Sequence, residues 1–149
     1  MIRKMCELDI PQIALMGLAY SKETDTHDSF DYDLDTVMLQ LSLAVVDPNA
    51  QILVAIKDNT VIGFIWGVIT HLPWSTEVIA LDNILYIVPC CRGEIHGIRL
   101  IRAYESWAES KNATQVSISI ASGITEDRTC NIYKRLGYSY IGSQYRKDI

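Results

Sequence analysis

The sequence has few cysteines and prolines, and it has no long apolar run. Its 149 residues include four cysteines and four prolines, and no two cysteines form a CxxC pattern. A disulfide scaffold and a zinc site are therefore not expected, and no metal is predicted. No apolar run approaches the roughly 18 residues that a membrane-spanning helix needs. Acidic residues also come too soon after Met1 for a secretory signal. We expect a soluble, cytoplasmic chain without a membrane partner.

Positive charge is scarce in the first part of the chain. Residues 1–91 carry 4 basic and 12 acidic side chains, residues 92–149 carry 9 basic and 6 acidic ones, and the net charge is −5. A nucleic-acid partner is therefore not favoured. An anionic ligand would prefer the second part of the chain and a cationic ligand the first. With 49% apolar residues, the chain suits one domain over residues 1–149 with a substantial core.

The apolar pattern predicts a mixed α/β fold with four helices and a sheet of six to seven strands. Consecutive strands without helices between them favour antiparallel pairing in the middle, and a later strand–helix–strand unit adds a parallel strand. The sheet is therefore expected to be mixed, mostly antiparallel, with helices on both faces. The predicted helices are 10–22, 34–45, 97–110 and 125–136, and the predicted strands are 2–8, 51–56, 61–69, 77–88, 116–121 and 138–147.

Local signals refine these elements. Asp9 and Gln12 have the spacing of a capping box at the start of the first helix. Gly63 and Gly67, inside a predicted strand, indicate a bulge or a close approach of another backbone. Gly137 stands at the position that commonly ends a helix in the left-handed conformation.

Residues 81–101 combine a buried strand, a tight loop and the start of a helix. The apolar strand ends at Pro89, and apolar residues recur at helical spacing from Gly97. The first N–H groups of a helix have no internal partner and lie at the positive end of its dipole, so this arrangement can bind an anion. Arg92 adds a forked, charged donor. The loop matches neither a P-loop nor a Rossmann glycine motif, and an ordinary strand–loop–helix connection is the alternative.

Two motifs here resemble those of the GNAT superfamily of N-acetyltransferases. Residues 87–93, Ile-Val-Pro-Cys-Cys-Arg-Gly, look like the family's Val-x-Pro-x-x-Arg-Gly entry, and residues 92–97 lie over its Arg/Gln-x-x-Gly-x-Gly/Ala loop. Residues 133–138, Tyr-Lys-Arg-Leu-Gly-Tyr, look like the family's Tyr-x-x-x-Gly-Phe/Tyr motif. About 45 residues separate the two motifs, as in the family. The chain departs from the pattern at Ile95, where the family has glycine, and at Glu126, where it often has asparagine.

The resemblance implies an N-acetyltransferase that moves the acetyl group of acetyl-CoA to a primary amine of a small molecule or protein by direct attack. It implies that a strand backbone holds the pantetheine arm and that loop N–H groups hold the pyrophosphate. The N–H of Ile87 would donate to the thioester oxygen as negative charge develops there. The residues implied are Leu85, Tyr86 and Ile87 for pantetheine, and Arg92, Gly93, Glu94, Ile95, His96, Gly97 and Ile98 for the pyrophosphate.

Three side chains are candidates for proton transfer. Tyr133 matches the family's general acid, which would protonate the leaving thiolate. Asp82 and Glu77 lie on the strand that leads to the site, where the family often has a carboxylate that accepts the proton of the amine. A core tyrosine and two surface acids are the plain alternatives, and solvent can also act as the base.

The acceptor side of the site has weaker signals. Six acidic residues at 23–35 lean towards a cationic amine such as a polyamine, an aminoglycoside or a lysine side chain, although a solvated loop is favoured for this stretch. Arg128, Trp74 and His71 are further candidates to face the acceptor, and a structural role is favoured for each.

Two other functions are compatible with these patterns. One is a non-catalytic module that binds acyl-CoA or another protein with the same fold, and the other is an unrelated α/β regulator with an anion site. Tyr138, Tyr140 and Tyr145 on the last predicted strand offer an edge on which a homodimer would form.

Overall fold

A five-stranded sheet forms the frame of the computed structural model, which describes residues 1–24, 31–120, 126–147 and 149. Short 3-10 turns occupy Glu7–Asp9 and Pro89–Cys91. The strands are β1 (Ile2–Lys4), β2 (Ala50–Lys57), β3 (Thr60–His71), β4 (Val78–Ile87) and β5 (Gln115–Val116), and the helices are α1 (Ile10–Glu23), α2 (Leu34–Val46), α3 (His96–Ser110) and α4 (Glu126–Arg135).

The strands lie in the order β1-β2-β3-β4-β5, with antiparallel pairing from β1 to β4 and a parallel pair between β4 and β5. The predicted mixed, mostly antiparallel sheet is therefore confirmed. The predicted six to seven strands are not confirmed, because residues 138–147 form no strand and β5 is only two residues long. Tyr140 and Tyr145 are 76% and 92% exposed, so no neighbouring element covers this segment among the described residues. Residues 25–30 of the acidic stretch 23–35, and the predicted helix cap at Thr125, lie outside those residues.

The sheet separates two apolar cores. Successive strand residues point to opposite faces, so Phe64 packs with α1 and α2 whereas Ile65 packs with α3. Both side chains are at least 98% buried. The helices therefore cover both faces, as the sequence predicts, and α3 is held with its first turn beside the end of β4.

The predicted capping box at the start of α1 is wrong. A 3-10 turn precedes the helix, and the carboxylate of Asp9 accepts a hydrogen bond from the Cys6 N–H (2.9 Å) at the start of that turn. Arg3 donates two further bonds to Asp9, at 2.6 and 2.8 Å, and lowers the pKa of that carboxyl to about 2. Gln12 instead donates to the carbonyl of Val61, at 3.0 Å, and ties α1 to β3.

The two strand glycines mark a bulge and a close backbone approach, as predicted. The β3–β4 register shifts between Trp66 and Gly67, and the ring of Tyr104 lies directly over Gly67. At Gly63, a methyl group would lie 2.5 Å from the carbonyl oxygen of Tyr86 on β4. A side chain at either position would therefore displace the strand or the helix that forms the site.

We expect Gly63→Ala to lower the free energy of unfolding by about 1–3 kcal/mol or more, because the new methyl would overlap the backbone of Tyr86 and the side chain of Ile87. Urea titration measures this change. Gly97→Ala is the matched control: its methyl would meet only Ile87, at 4.0 Å, and alanine is favoured over glycine within a helix by about 1 kcal/mol. Equal destabilisation by both changes would contradict the steric account.

Candidate active site

A cleft of about 290 Å³ lies between β4, the start of α3 and α4. It is lined by residues 82–87 of β4, the loop residues Arg92 to Glu94, and both apolar and polar side chains of the helices. Of the predicted site residues, the structure leaves Glu77, Ile95 and His96 outside this lining. It brings together Asp82, Leu85, Tyr86, Ile87, Arg92, Gly93, Glu94, Gly97, Ile98 and Tyr133.

The edge of β4 is open beside the cleft. The strand β5 pairs with β4 only at Ile79 and Ala80, and the N–H of Ser117 makes the last backbone bond, 2.8 Å to the carbonyl of Ala80. From residue 83 onward, none of the described residues adds a strand to this edge. The two strands therefore splay apart and leave room for an extended ligand along β4.

The direction of the β4 backbone groups follows from one hydrogen bond. The N–H of Val88 donates to the carbonyl of Ile62 on β3, at 2.9 Å. Backbone groups alternate in direction along a strand, so Tyr86 also faces β3, whereas Leu85 and Ile87 turn their N–H groups towards the open edge. The predicted donor, the N–H of Ile87, is therefore correctly oriented, while the backbone of Tyr86 is engaged in the sheet.

The start of α3 has free N–H groups. The N-cap residue Ile95 provides no side-chain bond to them, and the first N–H groups of a helix have no internal acceptor. Ile95 has a φ of −71°, and the left-handed conformation in this loop lies at Gly93, with a φ of +91°. Isoleucine at the family's central glycine position is therefore not strained.

Arg92 fastens the end of β4 to α1. Its Nε donates to the carbonyl of Ile87 at 2.8 Å, and its Nη2 donates to the carboxylate of Glu23 at 2.6 Å. The same carboxylate accepts a 2.8 Å bond from the hydroxyl of Tyr86, whose pKa is raised to about 12 by burial and by this bond. The guanidinium also lies 5.4 Å from the centre of the Tyr86 ring. Glu23, one of the acids predicted to attract a cation, is thus already paired.

A second guanidinium lies beside the loop between β4 and α3. Arg128, on the first turn of α4, lines the cleft and is exposed. Its Nη2 lies 2.8 Å from the point that a Cβ on Gly93 would occupy, so glycine makes room for it. Nearby, Lys57 pairs with Glu94 at 2.9 Å and offsets the one negative charge of the loop. The guanidinium of Arg128 therefore adds a positive charge to the cleft beside the loop.

Asp82 and Tyr133 converge on Ser119. Asp82 accepts bonds from the Ser119 N–H (2.8 Å) and hydroxyl (3.2 Å), and the Tyr133 hydroxyl donates to the Ser119 carbonyl at 3.4 Å. Burial raises the pKa of Asp82 to about 6, although the bonds from Ser119 act in the opposite direction. Burial raises the pKa of Tyr133, and the nearby charge of Asp82 raises it further. The carboxylate of Asp82 can therefore accept a proton, whereas the hydroxyl of Tyr133 keeps its proton.

The three other candidates lie near the start of β4, at the opposite end from Ile87; they are His71, Trp74 and Glu77. Glu77 precedes the strand, is exposed, and offers only its backbone carbonyl to the ring of His71, at 3.1 Å. Trp74 is 81% exposed in the preceding loop. None of them lines the cleft, so the role of Glu77 as a base stays a prediction without support from its position.

Sequence reasoning missed Lys57 and Ser119 as neighbours of the site, and it did not foresee the pairing of Glu23 with Arg92. Ser119 had a visible signal, because serines alternate with apolar residues from 116 to 120 and give that segment one polar face. Glu23 and Lys57 reach the site only through the packing of α1 and the β2–β3 hairpin. No local pattern in the sequence marks such contacts.

Within the described ranges, no group of three or more His, Cys, Asp or Glu side chains is placed to hold a metal ion. No helix in the same part of the chain combines the length and the apolar character needed to cross a membrane.

Several solved structures share this fold. A transcriptional regulator from Bacillus halodurans matches with a TM-score of 0.81 and 15% identity over 100% of this chain and 99% of its own. A ribosomal-protein-alanine N-acetyltransferase from Brucella melitensis gives 0.77 and 17% over 100% and 98%. An aminoglycoside N-acetyltransferase in complex with CoA gives 0.78 and 14% over 100% and 95%. At these identities the likeness concerns the fold alone.

The sequence itself carries the family assignment. No curated protein sequence matches the chain. The model of the acetyltransferase (GNAT) family, however, matches residues 14–138, which include the open strand edge, the α3 loop and Tyr133. The chain therefore belongs to the GNAT family of acetyltransferases.

Proposed function

We propose that this protein transfers the acetyl group of acetyl-CoA to a primary amine by direct attack. The observation that carries the proposal is the convergence of Asp82 and Tyr133 on Ser119, beside the open edge of β4. A proton acceptor, a proton donor and an oriented backbone N–H then share one cleft, and each of the three accelerates acyl transfer to an amine.

The cleft suits acetyl-CoA in three respects. The free N–H groups at the start of α3 and the guanidinium of Arg128 suit a pyrophosphate. The outward backbone groups of Leu85 and Ile87 suit the amide groups of pantetheine, which can pair with them as a strand would. Arg92 supports this arrangement indirectly, because its bonds to Ile87 and Glu23 fix the end of β4.

The chemistry can be written with all protons accounted for. Asp82 takes a proton from the substrate ammonium, directly or through water, and the free amine attacks the thioester carbon. The N–H of Ile87 donates to the carbonyl oxygen as charge develops on it. A C–N bond forms, the attacking nitrogen releases its second proton to water, the C–S bond breaks, and Tyr133 gives its proton to the departing sulfur. Tyr133 then recovers a proton from solvent, while Asp82 releases the one taken from the amine.

Proton donation by Tyr133 depends on the low polarity of the cleft. An ordinary tyrosine has a pKa near 10 and a thiol one near 8.5, so transfer from phenol to thiolate is unfavourable in water. Burial raises the proton affinity of a thiolate as it does that of a phenolate. The same cleft that holds the proton on Tyr133 therefore also makes the sulfur a better proton acceptor.

The proposal is tested by calorimetric titration with acetyl-CoA. We expect binding by the wild-type protein, and weakening of roughly 10-fold in Arg128→Ala, since a hydrogen bond to a charged group contributes about 1.5–3 kcal/mol. The effect should disappear with S-acetyl-pantetheine, which lacks the pyrophosphate. Arg135→Ala is the matched control: it removes the same charge from an exposed position of α4 that does not line the cleft.

Absence of acetyl-CoA binding by the wild-type protein would overturn the proposed function. Equal weakening in Arg128→Ala and Arg135→Ala would show instead that net charge, and not a local contact, governs the affinity. Arg92→Ala should weaken acetyl-CoA and S-acetyl-pantetheine alike, because it loosens the strand rather than removing a phosphate contact.

A further inference from the structure

A second cavity lies on the other side of β4, between the sheet and the helices α1 and α2. Its volume is about 190 Å³. None of the described residues that line it carries a charged side chain. The walls are largely apolar and include Ile13, Val37, Leu41, Phe64 and Trp66.

This cavity adjoins the cleft. Tyr20 and Ile84 line both spaces, and Ile84 is two residues from Asp82 along β4. The charge of Asp82 also contributes to the raised pKa of Tyr20, so the carboxylate lies near the junction. An acceptor whose amine reaches Asp82 can therefore extend past Tyr20 and Ile84 into the apolar cavity.

The size and chemistry of the cavity limit what can fill it. A dry cavity of about 150 Å³ lined by aliphatic and aromatic side chains is large enough to bind benzene. An ammonium group placed among such walls would lose its hydration without gaining a partner, which is strongly unfavourable. A polyamine or an aminoglycoside, with charge or hydroxyl groups at every few atoms, therefore does not suit this space.

We propose that the acceptor is a primary amine that carries an aromatic ring, and that the ring occupies this cavity while the amine lies at Asp82. The inference rests on the proposed acetyl transfer and names its substrate class.

The test compares acetylation of amines with and without a ring. Benzylamine, 2-phenylethylamine and 3-phenylpropylamine are assayed against methylamine, ethylamine and propylamine, with spermidine as the polycation and release of CoA as the signal. The best phenyl amine should exceed its alkyl counterpart in kcat/KM by about 10- to 100-fold, as expected for burying an aromatic ring. A short peptide beginning with phenylalanine, compared with one beginning with alanine, tests the second source of the same chemistry. Preference for either ring-bearing amine over its counterpart supports the assignment.

A filled cavity provides the matching variant. Val37→Phe places a ring in the space from α2, and it should remove the preference for phenyl amines. Leu39→Phe adds the same ring two residues away on the same helix, where the native side chain is 58% exposed, and it should leave the preference unchanged. Calorimetry with acetyl-CoA checks that both variants are folded. If Val37→Phe does not fold, the comparison of phenyl and alkyl amines with the wild-type protein is the test by itself.

The two proposals fail in different ways. Absence of acetyl-CoA binding overturns the proposed function. Acetyl-CoA binding together with equal turnover of phenyl and alkyl amines, or with preference for spermidine, overturns only the assignment of the cavity. If acetyl-CoA binds and no amine in the series is acetylated, the melting temperature of the CoA-saturated protein is measured with and without 2-phenylethylamine. A melting temperature that does not rise counts against the assignment. A rise that Val37→Phe abolishes supports it.

Discussion

Replacement of Tyr133 by phenylalanine is expected to lower kcat by about 10²- to 10⁴-fold, which is the usual contribution of a positioned proton donor. The side chain is 8% exposed and lines the cleft, and its hydroxyl makes only a long bond of 3.4 Å to the carbonyl of Ser119. Removal of the hydroxyl therefore leaves the packing of the ring intact, but it takes away the proton for the departing sulfur. The affinity for acetyl-CoA should be unchanged.

Steady-state kinetics and calorimetry measure these two effects separately. Tyr138→Phe is the matched control, because its ring lies 5.9 Å from that of Tyr133 but does not line the cleft. Because burial raises the pKa of Tyr133, kcat of the wild-type enzyme should not fall with rising pH up to about 10. Unchanged kcat in Tyr133→Phe would mean that the hydroxyl only supports Ser119, and that water protonates the sulfur.

The parts of this site that the sequence predicts are those made by consecutive residues. The strand end at Pro89, the loop through Gly93 and the start of α3 follow one another, so their order fixes their geometry. The family resemblance also implies a strand backbone that is free to hold the pantetheine arm, and the open edge of β4 is compatible with this. These features depend on the backbone, whose conformation is restricted locally by proline, by glycine and by apolar spacing.

The position of the Arg92 side chain could not be predicted from the sequence, because it depends on a distant residue. The sequence places a guanidinium beside the pyrophosphate loop. It gives no sign that Glu23, 69 positions earlier, comes within 2.6 Å and holds it against the strand end. Arg128, which the sequence offers as a candidate to face the acceptor, is brought by α4 to Gly93. Long side chains reach several ångströms from the backbone, so tertiary packing decides which charged side chains come into contact.

The missing strand at 138–147 has a related cause. Tyrosines alternate with small and polar residues there, which favours a strand. A strand also needs a partner edge, however, and β5 ends after two residues. Local preference without a partner does not produce a sheet. The homodimer predicted on this segment stays a prediction.

Replacement of Asp82 by asparagine should lower kcat by about 100-fold and raise the stability of the fold at the same time. Asparagine keeps a carbonyl oxygen for the N–H of Ser119 but cannot accept a proton from the amine. Burial raises the pKa of Asp82 from 3.8 to about 6, so the folded state binds this proton more tightly than the unfolded state. The stabilising contribution of the group is therefore complete below about pH 3.8 and is lost as the pH rises through about 6. At pH 7 the variant should gain about 1–3 kcal/mol in unfolding free energy.

The pH dependence of kcat at saturating amine tests the role of the base directly. The wild-type rate should rise through about pH 6 as Asp82 ionises, and this limb should be absent in Asp82→Asn. Ser119→Ala is the accompanying variant: it removes the 3.2 Å bond that favours the charged carboxylate, so the limb should move to higher pH while kcat above the limb changes little. If Asp82→Asn instead destabilises the fold and leaves the limb in place, the carboxylate serves only to tie Ser119 to β4. The base would then be solvent. If no amine is acetylated at all, the domain binds acyl-CoA without transferring the acyl group.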